Sequence, residues 1–112
     1  MSSKKDDEIY LRHILEAISW VEEYLTNTTK KEFLDNHLVQ DGVIRQVGIV
    51  GEAAKHLSSE FREKHKGMPW KDIAGMRDKL IHDYFGVDIE AVWETAMRDI
   101  PILKAKVTSI LG

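Results

Sequence analysis

Apolar residues recur at helical spacing along almost the whole chain, and this period constrains the fold more than any other feature. The first stripe, within a helix predicted over residues 4–26, comprises Leu11, Ile14, Leu15, Ile18, Val21 and Leu25. The same period runs through 37–57 and again from Asp88 to the C-terminus. No segment sustains the period of two that is typical of a strand. The sequence therefore predicts an all-α fold, an antiparallel bundle of four or five helices.

Local signals predict where these helices begin and end. Thr29 and Glu32 have the spacing of a capping box, which predicts a short helix after the first long one. A Gly-Met-Pro sequence at 67–69 precedes a helix that we predict over 70–84. Pro101 should kink or restart the last helix, because proline lacks an amide hydrogen and its ring collides with the preceding turn.

The helix predicted over 37–57 is apolar over a much wider arc than one stripe. It also contains Gly48 and Gly51, each of which costs about 1 kcal/mol relative to alanine unless close packing uses the missing side chain. This combination predicts a central helix that contacts several neighbours or another subunit.

Length and composition exclude several classes of protein. A chain of 112 residues predicts a single domain, residues 1–112. It has no cysteine, which excludes disulfide scaffolds, thiolate zinc sites and cysteine nucleophiles. No apolar run approaches the roughly 20 residues of a membrane span, and the N-terminal residues lack a signal-peptide core, so we expect a cytoplasmic protein with no membrane partner. The net charge of −3 argues against coating nucleic acid by charge alone.

Arg77 stands in an unusual place. On a helical wheel of the segment 70–84 its side chain falls in the middle of the apolar face. An unpaired guanidinium in such surroundings costs several kcal/mol. Arg77 should therefore pair with a carboxylate, for which Glu52 on the long helix is a candidate, or face a wet cleft or a ligand.

The segment around Arg77 also has the form Arg-x4-His-x-Tyr, with His82 and Tyr84 completing it. With its surroundings it resembles the HEPN superfamily, and within it the HepT-like toxins of MntA–HepT systems. Further framework similarity lies at 49–55, 69–76, 84–88 and 92–103. The similarity extends over nearly the whole chain and is clearest over 43–104.

The resemblance implies the toxin of a toxin–antitoxin pair, a metal-independent endoribonuclease that acts as a homodimer. In this interpretation Arg77 stabilises the phosphate in the transition state and His82 transfers protons, supported by Asp78 and Glu52. The partner, an MntA-like nucleotidyltransferase antitoxin, would silence the toxin by adding AMP to Tyr84. We expect no cofactor and no metal for this chain, since ATP would be used by the partner alone.

One geometric difficulty accompanies this interpretation. On a straight helix, Arg77 and His82 point about 140° apart, too far to converge on one phosphate. Either the helix end is loosened near His82, or the site is composite across a two-fold axis. The dimers known for the resembled family favour the second solution.

A basic stretch precedes the motif and includes Lys55, Arg62, Lys64 and Lys66. It could guide an RNA backbone toward the cleft, or it could be a solvated helix end.

An alternative function is a non-catalytic subunit that holds a nucleotide or a nucleotidyltransferase in the same cleft, because some HEPN domains lack nuclease activity.

Overall fold

The computed structural model of the chain describes residues 4–81 and 86–112. Its helices are α1 (Lys4–Tyr24), α2 (Lys30–Leu34), α3 (His37–Lys55), α4 (Ser59–Lys64), α5 (Trp70–Ala74), α6 (Met76–Leu80), α7 (Ile89–Glu94) and α8 (Ile100–Leu111), with a π-helical segment at Thr95–Asp99. The described ranges contain no strand, and the prediction of an all-α bundle is confirmed.

The long helix α3 lies at the centre of the bundle. It packs against α1, α2, α5, α6 and α7, and its apolar side carries Val43, Val47 and Val50, all fully buried. Gly51 faces α5 so closely that a Cβ there would lie 3.1 Å from the carbonyl oxygen of Ala74. The wide apolar arc with glycines inside it therefore belongs to a central helix, as predicted.

The helix caps agree with the sequence signals. The Thr29 hydroxyl accepts a hydrogen bond from the Glu32 amide, and the Glu32 carboxylate accepts one from the Thr29 amide, which confirms the capping box. The hydrogen bond from the Thr29 amide, with a further contribution from the Thr29 side chain, holds the pKa of Glu32 below its ordinary value, because both favour the charged carboxylate.

The prediction of one helix over 70–84 is wrong. The helix is interrupted at Gly75 and resumes as α6, which ends at Leu80. Ile81 is already extended (φ −110°, ψ 120°) and forms an antiparallel β-bridge with Val87.

The last helical stretch is interrupted just before Pro101, as predicted. The Ile100 amide donates to the carbonyl of Thr95, five residues earlier, which is the π-helical pattern. Pro101 has no amide hydrogen and needs room for its ring against the preceding turn, and the wider π turn supplies that room.

Within the part of the chain that the structure describes, no helix is both long enough and apolar enough to cross a bilayer.

Candidate active site

An open groove of about 560 Å³ lies between α3 and the segment that follows α5. One helical stripe of α3 forms its floor, and Arg77 and Val87 form the opposite side. The lining residues are Asp41, Ile44, Arg45, Gly48, Ile49, Glu52, Arg77 and Val87. The groove therefore brings two of the predicted site residues, Arg77 and Glu52, to one surface.

Arg77 is not buried, contrary to the helical-wheel prediction. Its side chain is 56% exposed, while Met76 and Leu80 take the buried positions of α6. The helical-wheel prediction was wrong because it assumed one continuous helix. The break at Gly75 changes the direction in which every later side chain points from the helix axis. Arg77 packs its aliphatic part against α3 instead: a Cβ on Gly48 would lie 2.9 Å from Arg77 Cδ.

The Arg77 guanidinium has no close carboxylate partner among the described residues. Its nearest contact is 4.0 Å from Nη1 to Oδ1 of Asp78, and both side chains are exposed. Glu52 is directed elsewhere: its ion-pair contacts are Lys55 at 3.6 Å and His56 at 3.9 Å. The predicted pairing of Arg77 with Glu52 is therefore absent. Exposed contacts at these distances contribute little, which leaves the guanidinium available to an anion in the groove.

His82 and Tyr84 lie outside the described residues. The residues that flank them are fixed, because Ile81 pairs with Val87 and the Asp88 amide donates to the Leu80 carbonyl at 2.9 Å. Ile81 and Val87 thus lie side by side at the Arg77 side of the groove. Since α6 ends at Leu80, the 140° separation expected for a straight helix does not apply. The angle therefore gives no reason to place the site across a two-fold axis.

The basic stretch separates into different roles. Arg62 donates from Nη2 to the Ala54 carbonyl at 2.6 Å and is half-buried, so its guanidinium completes the C-terminal end of α3. Lys55 contacts Glu52, and Lys66 contacts Glu63 at 3.6 Å. Lys64 is exposed in the last turn of α4. None of these four residues lines the groove.

His65, in the same basic stretch, has a shifted pKa. Its pKa lies below the ordinary value because burial disfavours the charged ring, and Lys106 and Lys64 add repulsion. Its ring also contacts that of Phe61 at a centroid distance of 4.6 Å. This imidazole packs against an aromatic ring and does not line the groove.

Sequence reasoning missed two charged residues of the groove, Asp41 and Arg45. Both are exposed on α3, one turn apart, and they share its outer face with the exposed Leu38 and Ile49. Their spacing by four residues on the side opposite the apolar arc was visible in the sequence, but exposed charges are the usual case on a helix surface and did not single them out. Across residues 4–81 and 86–112, no three His, Asp or Glu side chains are grouped as a metal site would require.

The comparisons with known proteins agree with one another. The sequence pattern of a family described as "Ribonuclease HepT-like" matches residues 14–110. The chain is 49% identical over 108 residues to a Methanocaldococcus jannaschii protein named for a gamma-glutamylcyclotransferase and a provisionally assigned RNase, covering 96% of this chain and 49% of that protein. The chain therefore spans about half the length of that relative.

Two other relatives match this chain over nearly their full length. A provisionally named RNase of Caldanaerobacter subterraneus subsp. tengcongensis is 45% identical over 91% of both chains. A protein named "Probable ribonuclease HepT" from Thermococcus cleftensis is 44% identical over 92% of this chain and 94% of its own. No solved structure matches the chain.

Proposed function

The chain belongs to the ribonuclease HepT-like family, and from that membership we propose that it is an endoribonuclease that cleaves RNA without a metal. The observation that supports this most directly is the half-exposed Arg77 guanidinium, which faces an open groove and has no carboxylate closer than 4.0 Å among the described residues. A guanidinium so placed is suited to two oxygens of one phosphate.

The residues of the motif match what the reaction requires. Cleavage needs the ribose 2′-hydroxyl to lose a proton, the pentacoordinate phosphate to be stabilised, and the leaving 5′-oxygen to gain a proton. Arg77 holds the phosphate oxygens, and His82 accepts or donates the proton. Tyr84 orients the substrate or stacks on a base. Glu52 and Asp78 support the site through the negative charge of their carboxylates, which lie on or beside the groove.

Cleavage assays on matched variants test this function. Arg77→Ala and His82→Ala should each lower the cleavage rate of single-stranded RNA by about 10² to 10⁴-fold, the range for losing one electrostatic or proton-transfer group. Arg12→Ala is the control, since it removes one exposed arginine from α1, outside the groove, and should cleave normally. Equal cleavage by all variants would contradict the proposal.

Several finer statements rest on the family resemblance. We propose that the protein is the toxin of a cytoplasmic toxin–antitoxin pair, that it acts as a homodimer, and that a nucleotidyltransferase silences it by adding AMP to Tyr84. An AMP phosphate close to Arg77 would occupy the place of the substrate phosphate. Incubation with such a nucleotidyltransferase and ATP should raise the mass by AMP groups, and Tyr84→Phe should remove the increase at that position.

The alternative, a non-catalytic binding subunit, predicts a different result. The unmodified wild type would leave RNA intact and would still bind a nucleotide in the groove, and Arg77→Ala would abolish that binding.

A further inference from the structure

RNA cleavage at the groove requires a second group for proton transfer. The reaction moves two protons: one leaves the ribose 2′-hydroxyl, and another reaches the 5′-oxygen as its bond to phosphorus breaks. The motif contains a single imidazole, that of His82, and the Arg77 guanidinium keeps its protons at any working pH. One imidazole cannot accept and donate in the same displacement. The other transfer therefore falls to a side chain that borders the groove.

Two carboxylates, those of Asp41 and Glu52, line the groove in the part of the chain that the structure describes. Their distances from Arg77 differ, because the Arg77 stem lies against Gly48. With a rise of 1.5 Å per residue, Glu52 lies about 6 Å along α3 from Gly48, and Asp41 about 10 Å. The Cα–Cβ bonds of a helix tilt toward its N-terminus, so Glu52 tilts toward Gly48 and Asp41 tilts away. Glu52 is therefore the carboxylate better placed to reach a phosphate on Arg77.

The Glu52 carboxylate is accessible to a ligand. Its side chain is 65% exposed, and its Oε2 lies 3.6 Å from Lys55 Nζ. Its Oε1 lies 3.9 Å from Nε2 of His56, whose ring stacks on that of Tyr10 from α1 at a centroid distance of 5.0 Å. Both ion-pair contacts are longer than a hydrogen bond, so the carboxylate oxygens can accept one from a hydroxyl.

We propose that Glu52 is the catalytic base of the cleavage reaction, an assignment that rests on the proposed ribonuclease function. Its carboxylate takes the proton of the ribose 2′-hydroxyl while the 2′-oxygen forms a bond to phosphorus. The bond from phosphorus to the 5′-oxygen breaks, and that oxygen takes a proton from the charged imidazole of the motif. The products are a 2′,3′-cyclic phosphate and a free 5′-hydroxyl. Both groups then exchange protons with water and return to their starting states.

The separation of Arg77 and Glu52 suits this step. A guanidinium holds a phosphate oxygen at about 2.8 Å, and an attacking oxygen lies about 3–3.5 Å from phosphorus. The carboxylate that accepts its proton lies about 2.6–3.2 Å beyond that oxygen. A direct ion pair between the two side chains would close this space. Among the described residues, Glu52 instead contacts Lys55 and His56, which leaves room for the reacting group.

Glu52→Gln tests the assignment, because it keeps the size of the side chain and removes its ability to accept a proton. It should lower kcat for single-stranded RNA by about 10² to 10⁴-fold. KM should stay unchanged or fall, since a negative charge near the phosphate is lost.

The matched control is Glu63→Gln. Glu63 lies 3.6 Å from Lys66, three residues on, and Glu52 has the same contact with Lys55. Glu63 does not line the groove, so this variant should cleave RNA as the wild type does. Circular dichroism of both variants should match the wild type, since both side chains are exposed.

A substrate with a better leaving group separates the proton acceptor from the proton donor. In a 5′-bridging phosphorothiolate, sulfur replaces the 5′-oxygen at the linkage that the wild type cleaves. A thiol is far more acidic than an alcohol, so the sulfur leaves without a proton. His82→Ala should therefore recover toward the wild-type rate on this substrate. Glu52→Gln should stay slow, because the 2′-hydroxyl must still lose its proton.

The pH dependence of kcat gives a second readout. Wild-type cleavage should fall toward acid pH, because a protonated Glu52 cannot accept a proton, and Glu52→Gln should lose this fall. The charged groups around Glu52 are Lys55 and His56 on α3 and Arg77 of α6, while Tyr10 of α1 contacts His56. His56→Gln should retain the fall, since the carboxylate is still present.

The outcomes separate this assignment from the proposed function. If Glu52→Gln cleaves as fast as the wild type, recovers on the phosphorothiolate or keeps the fall toward acid pH, Glu52 is not the base, and the ribonuclease function still stands. A wild type that leaves both substrates intact would overturn the function and the assignment together.

Discussion

Gly48 and Gly51 lie one turn apart on α3 and contact different kinds of neighbour. A Cβ on Gly51 would lie 3.1 Å and 3.3 Å from the carbonyl oxygens of Ala74 and Ile73, which belong to the backbone of α5. A Cβ on Gly48 would meet the flexible side chain of Arg77 at 2.9 Å. The first contact fixes the distance between two helices, whereas the second fixes the place of one side chain.

Alanine at these two positions should therefore have different consequences: a loss of stability at Gly51 and a loss of RNA cleavage at Gly48. Gly51→Ala should lower the free energy of unfolding by about 1–2 kcal/mol, because overpacking against a backbone that cannot move exceeds the gain in helix propensity. Gly48→Ala should leave stability within about 1 kcal/mol of the wild type and lower RNA cleavage, because Arg77 must shift. Urea unfolding and cleavage assays measure the two effects. A stable Gly51→Ala variant would contradict the packing described here.

For single residues, the sequence predicted which residues belong to the site better than it predicted where their side chains lie. It singled out Arg77 and Glu52, and the structure places both on one groove. It wrongly expected Arg77 on a buried face, because the wheel assumed an unbroken helix through Gly75. The groove residues Asp41 and Arg45 were missed, since exposed charges on a helix surface are the usual case and carry no signal by themselves.

The start of α1 is tied to the junction between α3 and α4 by one buried carboxylate. Asp7 is 6% exposed. Its Oδ1 accepts from the Ser58 amide and its Oδ2 accepts from the Ser58 hydroxyl, each at 2.7 Å. The same hydroxyl accepts from the Phe61 amide and so caps α4. One carboxylate therefore orients the cap of a helix 51 residues away in the chain.

Asp7→Ala should lower the free energy of unfolding by about 2–3 kcal/mol, because two charge-assisted hydrogen bonds disappear and the Ser58 amide loses its acceptor. Glu8→Ala is the matched control on the same turn of α1. Glu8 forms an exposed ion pair with Arg12 at 2.9 Å, and its loss should cost at most about 0.5 kcal/mol. Chemical denaturation compares the two, and equal losses would contradict the role given to Asp7.

Elements with a regular apolar period were predicted well, and junctions were not. The boundaries of α1 and α3 agree with the sequence to within two residues. The short helix α4 was not predicted, since its segment is polar and its stability depends on the cap that Asp7 orients. The end of α6 was placed too late, because the β-bridge between Ile81 and Val87 is a tertiary contact that no local pattern indicates.

At the scale of the whole molecule, the proposed homodimer predicts how stability depends on protein concentration. If pairing supplies part of the stability, thermal unfolding should depend on protein concentration, because each dimer yields two unfolded chains. A tenfold increase should raise the wild-type Tm by about 3 °C, the equivalent of roughly 1.4 kcal/mol per dimer. Scanning calorimetry at two concentrations measures this shift, and a constant wild-type Tm would contradict pairing.

The fold class and the family resemblance followed from the sequence, whereas the groove did not. Its floor comes from α3 and its far side from Arg77 and Val87, so it exists only once the bundle has formed. No single segment carries that information.

The bridge between Ile81 and Val87 also bears on how such a protein can diversify. Ile81 follows α6 directly and Val87 lies just before α7, so the bridge and the hydrogen bond from the Asp88 amide to the Leu80 carbonyl hold the end of one helix beside the start of the next. A substitution at Ile81 or Val87 would therefore act on both helices at once, and we expect evolutionary change at these two positions to be coupled.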